Sequence, residues 1–247
     1  MSLTQQVYEA IVDEICCGTL TAGSHLVQED LAQRLGVSRQ PVQQAMALLQ
    51  ADGMVERFGL RGVQVTPLDP ELMLHHYEIR AALDGLAARK AALRVRQEGH
   101  ARSEIASSGE AVIKLGKSAV KSGDVGEQVR QDAAFHGLIY ACSGNPLLAR
   151  TAEPQRRFLQ RAMAEVLRRA SPPREIWQQH AAILAAILAG NPARAEALAV
   201  EHDLAAAKSL HAALILRSHT NRTLAEVGVD DCGQLKTRRS GVRGARP

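Results

Sequence analysis

The chain has 247 residues, of which 46% are apolar and only 3% aromatic, and its formal net charge is +4. This length and apolar content predict two domains with buried cores, and the scarcity of aromatic residues in a chain rich in Ala, Leu and Arg favours helices over sheets. No apolar run is long enough to span a membrane, and the N-terminus lacks the basic and apolar segments of a secretory signal. The four cysteines show no C-x-x-C spacing, so we expect reduced thiols, a cytoplasmic location and no membrane partner.

The N-terminal segment contains the pattern of two helices joined by a tight turn. An amphipathic helix is expected over residues 3–17, and residues 26–53 predict two further helices. Gly36 stands where a helix ends, because glycine tolerates a left-handed backbone. Ser38 is a suitable N-cap for the next helix, and Pro41 fits within its first turn. This arrangement is typical of a helix-turn-helix.

Polar residues occupy the outward face of the second of these helices. The set is Arg39, Gln40, Gln43 and Gln44. Arginine can contact a guanine edge or a phosphate, and glutamine can pair with adenine. A recognition helix reads bases with its N-terminal residues, so these positions predict binding to double-stranded DNA. The alternative is an ordinary helical hairpin with a solvated polar face.

Two short strand-like runs follow directly, over residues 54–57 and 63–65. The glycine-containing segment between them predicts a hairpin loop. A helix-turn-helix followed by a β-hairpin is a winged helix. Arg61 and Gly62 would lie at the tip of the wing, where Gly permits close approach to the DNA backbone and Arg can reach a phosphate or the minor groove.

Four motifs in this segment match a known family. They are G-T-L-x-x-G-S-x-L over 18–26, E-D-L-A-Q-R-L-G-V-S-R-Q-P-V over 29–42, G-M-V over 53–55 and R-G-V-x-V over 61–65. With these motifs, residues 3–66 resemble the DNA-binding domain of GntR-family bacterial transcription regulators. The resemblance implies DNA contacts at Arg34, Ser38, Arg39 and Gly62. Family members commonly carry Arg-Glu where this chain has Gln43-Gln44, so we expect a non-standard operator or a lower affinity.

The charge of this segment does not by itself favour DNA binding. Residues 1–68 contain four arginines and seven acidic residues, a net charge of −3. The positions of the arginines must therefore provide the local attraction to phosphates. We also expect a homodimer, because two half-sites add affinity that one acidic domain lacks.

The remainder of the chain predicts a helical domain and a tail. Two prolines mark a linker at residues 66–70. After it, turn-forming Gly, Asn, Ser and Pro residues separate six helical segments that would form an antiparallel bundle. The predicted segments are 70–98, 101–122, 124–142, 146–169, 173–189 and 192–217. The expected fold class is mainly α, with a winged helix-turn-helix over 1–68, an all-α bundle over 69–218 and a disordered basic tail over 219–247. An alternative role for the tail is a nonspecific DNA-contacting arm.

The helical domain contains four candidate metal ligands. Asp132 and His136 are four residues apart and share a helix face. His180 and His202 lie in otherwise apolar helical stretches. A buried imidazole needs a partner, and a divalent metal ion could serve all three together with the carboxylate. The alternative is that each histidine is a satisfied core or surface residue.

A second resemblance covers this domain. The matching text is Y-E-I-R-A-A-L-D-G-L-A-A-R over 77–89, D-A-A-F-H over 132–136, S-G-N-P-L-L over 143–148, and the sequence from His180 to Ala195 with His202. With it, residues 70–217 resemble the FCD ligand-sensing domain of FadR-type GntR regulators. The resemblance implies a metal site formed by Asp132, His136, His180 and His202. Zinc is the preferred ion, with nickel, manganese and iron as alternatives.

Arg80 is the candidate effector contact. An arginine that faces a helical core must pair with an anion, and a bound small carboxylate could be that anion. The alternative is an intramolecular salt bridge to Asp84, one turn later, or to another nearby acid. We therefore predict a metabolite-responsive transcription repressor and no enzyme. The rival hypotheses are a metal-dependent hydrolase that uses a metal-bound water, and a metal that only stiffens the bundle.

Overall fold

The structure is a computed structural model that describes residues 1–59, 62–168 and 175–227. The N-terminal part contains α1 (Leu3–Cys16), β1 (His25–Leu26), α2 (Gln28–Leu35), α3 (Arg39–Ala51), β2 (Val55–Phe58) and β3 (Gly62–Val65). The long helices that follow are α4 (Pro70–Gln97), α5 (Ala101–Ser122), α6 (Val125–Cys142), α7 (Pro146–Leu167), α8 (Ile176–Leu188) and α9 (Pro192–Val227). Among these described helices, none is long and apolar enough to cross a bilayer.

The N-terminal part has the predicted winged-helix architecture. Its antiparallel sheet has the order β1-β3-β2, and Val55 lies opposite Val65 in the hairpin. The sequence pattern did not reveal β1, because a strand of two residues shows no alternation. Gly36 adopts the expected left-handed conformation, with a φ of 66°. Ser38 occupies the N-cap position of α3, but its side chain makes no capping hydrogen bond.

The core of this part is formed by one face of each helix and the inner face of the sheet. Ile11 of α1 and Val42 and Leu49 of α3 are completely buried, and Val65 closes the core from the sheet. These positions recur at helical spacing, so one continuous apolar stripe on each helix is removed from water. This packing presents the opposite face of α3 to solvent.

The helical bundle follows the predicted boundaries with two differences. α8 begins at Ile176, later than the predicted residue 173. α9 continues to Val227, past the predicted end at 217, so the helix includes residues 219–227 of the segment that was expected to be disordered. No Gly or Pro interrupts the sequence between Pro192 and Val227, and a helix can therefore continue after its apolar periodicity ends. Residues 228–247 lie outside the described residues.

The two parts of the chain contact each other through α1 and α7. The Arg161 guanidinium is buried and donates through Nη2 to the carbonyl oxygen of Thr66, at 2.6 Å. Arg157 donates through Nη1 to the Tyr8 hydroxyl at 2.5 Å. Thr66 belongs to the linker and Tyr8 to α1, so α7 of the bundle holds both the linker and the first helix of the winged helix.

Candidate metal centre and DNA-binding surface

The exposed end of α3 presents the predicted recognition residues to solvent. The exposed set is Ser38, Arg39, Gln40, Gln43 and Gln44. Arg61 lies outside the described residues. Gly62 pairs with Phe58 in the hairpin, and a Cβ at this position would lie 2.6 Å from the Phe58 carbonyl oxygen. A glycine is therefore required here by the hairpin itself, and the DNA contact at Gly62 stays a prediction.

Acidic side chains already pair with two of the predicted DNA-contacting arginines. Arg34 donates both terminal nitrogens to the Glu14 carboxylate, at 2.7 and 2.8 Å. Arg39 forms an ion pair with Glu29. Sequence reasoning missed both acids, because each pair joins two helices, α1 with α2 and α2 with α3. Phosphate oxygens would have to replace these carboxylates when the protein binds DNA.

Removing the acid beside Arg39 is expected to strengthen DNA binding. In Glu29→Gln, the Arg39 guanidinium no longer has to give up a carboxylate partner before it can bind a DNA phosphate. We expect affinity for duplex DNA to rise about threefold to tenfold, since an exposed pair contributes roughly 0–1 kcal/mol and one repulsive charge is also removed. Fluorescence anisotropy at fixed salt measures this change. Asp30→Asn is the matched control, because it removes the same charge from the same helix at a residue that forms no ion pair within the described part of the chain. An equal gain in both variants would contradict the specific role of Glu29.

Four buried side chains converge in the bundle. Asp132 and His136 come from α6, His180 from α8 and His202 from α9, and one ligand atom of each lies within 4.8 Å of all the others. The His180 Nε2 atom lies 3.1 Å from the His202 Nε2 atom and 3.5 Å from an Asp132 carboxylate oxygen. Tetrahedral zinc with bonds of about 2.0–2.1 Å separates its ligands by roughly 3.3 Å. The spacing of these atoms therefore fits one small divalent ion.

Hydrogen bonds set the protonation of two of these imidazoles. His136 contacts Asp84 through Nδ1 at 2.6 Å, and His202 contacts the Gln179 side-chain oxygen through Nδ1 at 2.8 Å. Both oxygens accept, so the protons lie on Nδ1 and the Nε2 lone pairs are free for a metal. The Nε2 atom of His136 is buried and has no hydrogen-bond partner among the described residues. This orphaned atom fits a ligand position in a metal site.

Packing fixes the third imidazole. The His180 ring stacks on Phe135 at 4.2 Å and meets Trp177 edge-on at 4.7 Å between ring centroids. Burial, together with the neighbouring histidines, holds the pKa of His180 well below its usual range. Burial likewise lowers the pKa of His202 to about 3. Neutral imidazoles are the form that binds metal ions, so the apolar surroundings favour ligation at neutral pH.

Arg80 forms the intramolecular salt bridges that were the alternative to effector binding. Its Nε atom lies 3.1 Å from Asp203 and 3.3 Å from Asp84, and its Nη2 atom lies 3.6 Å from Asp132. Arg80 also lines the adjoining cavity, so its guanidinium lies where an effector could contact it. The effector role of Arg80 stays a prediction.

Asp203 was not identified from the sequence. Its carboxyl group is completely buried beside Asp84, and burial raises its pKa well above the usual range. Burial would also raise the pKa of Asp84, but contacts with His136 and Arg80 outweigh it and lower the pKa. The position of Asp203 directly after His202 was the only local signal.

A winged helix joined to a helical domain with an internal polar centre is an architecture of DNA-binding regulators. The sequence pattern of the bacterial regulatory proteins of the gntR family matches residues 3–65, and that of the FCD domain matches residues 75–206. The FCD match covers more than half of the chain. The chain belongs to the GntR family, in the branch that carries an FCD domain, and is a DNA-binding transcription regulator. The predicted family and mainly α fold are thus confirmed, and the family match favours a regulator over the hydrolase.

Individual proteins show the same relationship. A probable D-xylose utilization operon transcriptional repressor from Paenarthrobacter nicotinovorans is 30% identical over 208 residues, which are 83% of this chain and 87% of the relative. An HTH-type regulator from Agrobacterium vitis, located in the TAR-I ttuE-ttuC' intergenic region, is 29% identical over 55% of this chain and 78% of its own length. The solved structure of Escherichia coli McbR/YncC has the same fold, with a TM-score of 0.72, 21% identity and coverage of 85% of this chain and 98% of that protein.

Proposed function

We propose that this regulator is a metal-dependent repressor that responds to a small carboxylate. It acts in the cytoplasm as a homodimer on a near-palindromic operator. The observation that supports the metal dependence is the convergence of one aspartate and three histidine side chains in the bundle core. The P. nicotinovorans relative, named as a probable repressor, supports the sign of regulation.

The four convergent side chains would hold the ion. Nitrogen-rich donor sets at this spacing suit zinc, and nickel, manganese and iron accept the same ligands. The bound ion would supply a Lewis-acidic position for an effector carboxylate oxygen. Asp132 would also connect the ion site to the cavity wall, because its Oδ1 atom lies near His180 and its Oδ2 atom faces Arg80.

Helix α7 is the proposed connection between effector and DNA. Met163 and Val166 of this helix line the cavity beside the cluster, and Arg161 of the same helix holds the linker at Thr66. A ligand that shifts α7 would therefore change the position of the winged helix, with residues 66–70 as the hinge. A tenfold to hundredfold change in operator affinity requires about 1.4–2.8 kcal/mol of differential binding between the two arrangements.

The decisive experiment removes one proposed metal ligand, His180, by a substitution that is compatible with helix α8. We expect the wild-type protein to retain about one zinc ion per chain after dialysis. The His180→Ala variant should lose this ion and should no longer respond to the effector. Binding to an operator selected from random duplexes should persist. His211→Ala is the control, because this histidine pairs with Glu71 outside the cluster, at 3.0 Å.

The same experiment distinguishes a metal ion that controls DNA binding from one that only stabilises the helical bundle. Zinc removal by a chelator is expected to change operator affinity in wild type and in His211→Ala, and to have no effect in His180→Ala. If chelation lowers the melting temperature of the wild type but leaves operator and effector binding unchanged, the ion is only structural and the regulatory proposal fails.

A further inference from the structure

We propose that the effector is a hydroxy-substituted monocarboxylic acid with an apolar chain, and that Gln128 binds its hydroxyl group. This inference rests on the proposed function, because it assumes that the effector carboxylate lies beside the metal cluster. Three observations support the inference: the apolar lining of the cavity, the charges around the cavity, and the Gln128 side-chain oxygen, which has no hydrogen-bond partner among the described residues.

The cavity next to the cluster is long and mostly apolar. It has a volume of about 310 Å³, and one wall follows α9 from His202 to Leu210 and Ala213. These positions span roughly 16 Å along a helix that rises 1.5 Å per residue. Val166 and Leu167 of α7 line the cavity as well. A ligand with its carboxylate at the cluster would therefore extend a chain along apolar side chains, which favours hydrocarbon over further polar groups.

The charge balance disfavours a second carboxylate. Arg80 is the only Arg or Lys among the described lining residues, and the carboxyl groups of Asp84, Asp132 and Asp203 already surround it. The remaining charged groups of the lining are Asp132 and Glu175, which are acidic. Among the described residues of the lining, a second carboxylate on the effector would have acidic neighbours and no further cation to pair with, and such burial is strongly unfavourable. The cavity therefore selects a single negative charge, bound at the metal.

Gln128 indicates a further polar group on the effector. Its side chain is 4% exposed and lines the cavity, and its Oε1 atom has no hydrogen-bond partner among the described residues. Gln128 precedes Asp132 by one helical turn on α6, so both side chains lie on the same face. A buried amide oxygen without a donor is costly, and a ligand hydroxyl group would satisfy it. The hydroxyl group would have to lie close to the carboxylate, since Asp132 is a ligand of the ion.

Three acids of six carbons test the proposal in the full-length, zinc-loaded protein. Calorimetric titration is expected to give the tightest binding for 2-hydroxyhexanoate, at least about tenfold weaker binding for hexanoate, and weaker binding again for hexanedioate. The first two acids differ only in the hydroxyl group, and the last two differ only in the second carboxylate.

Two glutamine variants assign the hydroxyl group. Gln128→Leu is expected to abolish the difference between 2-hydroxyhexanoate and hexanoate and to leave hexanoate affinity nearly unchanged. Gln131→Leu is the control, because Gln131 lies on the same helix and donates to Glu127 at 2.7 Å, away from the cavity lining. Zinc content measured in parallel checks that each variant keeps the cluster.

Each outcome has a distinct meaning. Hexanedioate binding as tightly as hexanoate, or a hydroxyl preference that survives in Gln128→Leu, overturns the assignment of effector class. Zinc retention without binding of any of the three acids also overturns it and leaves the metal site intact. A wild-type protein that retains none of zinc, nickel, manganese or iron refutes the proposed function, and this inference fails with it.

Discussion

Replacing Arg39 with alanine is expected to weaken operator binding by about tenfold to a hundredfold at fixed salt. The Arg39 side chain is exposed at the start of α3, and its partner Glu29 is itself exposed and replaceable by DNA. A bidentate arginine contact to guanine is worth about 1–3 kcal/mol, and each 1.4 kcal/mol is tenfold in affinity. A homodimer would lose this contact in both half-sites, so the upper part of the range is expected for a symmetric operator.

The control for Arg39→Ala is Arg89→Ala. Arg89 is a half-exposed arginine on α4 that faces Glu196 at 3.7 Å, so the variant makes the same charge change in the helical bundle. Mobility shift of the selected operator across a salt series measures both variants. Equal operator affinity in wild type and Arg39→Ala would show that the exposed end of α3 does not contact DNA.

The second large effect is expected from Gly116→Ala, in the middle of α5. A Cβ at this position would lie 1.9 Å from the Trp177 ring, so the indole has to move. Trp177 packs against His180, 4.7 Å away between ring centroids, and the displacement would reach this proposed metal ligand. Overpacking of this kind costs about 1–3 kcal/mol in the free energy of unfolding. We also expect zinc affinity to fall at least about tenfold, as for other changes around metal ligands.

Gly137→Ala provides the matched control for Gly116→Ala. Gly137 also lies inside a helix, but a Cβ there would have no heavy atom within 4 Å. The same substitution should therefore stabilise the protein by about 0.5–1 kcal/mol, because alanine loses less backbone entropy in a helix. Urea denaturation and zinc titration of both variants give the comparison. If Gly116→Ala unfolds at the same urea concentration as wild type and retains zinc equally, the packing of Trp177 against α5 does not hold His180.

Local patterns explain why the fold could be predicted from the sequence. Gly36 ends α2 in a left-handed conformation, and the prolines and glycines of the second half separate helices close to the predicted positions. These signals act over a few residues and need no knowledge of packing. The end of α9 was predicted wrongly for the same reason: loss of apolar periodicity does not stop a helix that contains no breaker.

The sequence by itself determined the family and the helical architecture, because short motifs and helix breakers are properties of the local chain. The four residues that meet at the candidate metal centre followed from the resemblance to the FCD domain, since only Asp132 and His136 share a four-residue spacing. Only the tertiary structure decided which groups surround them. Asp203 beside Arg80, Glu29 beside Arg39 and Trp177 against Gly116 are pairs brought together from different helices. Helix packing sets such contacts, and the crossing of two helices depends on all the side chains between them, which no single stretch of sequence contains.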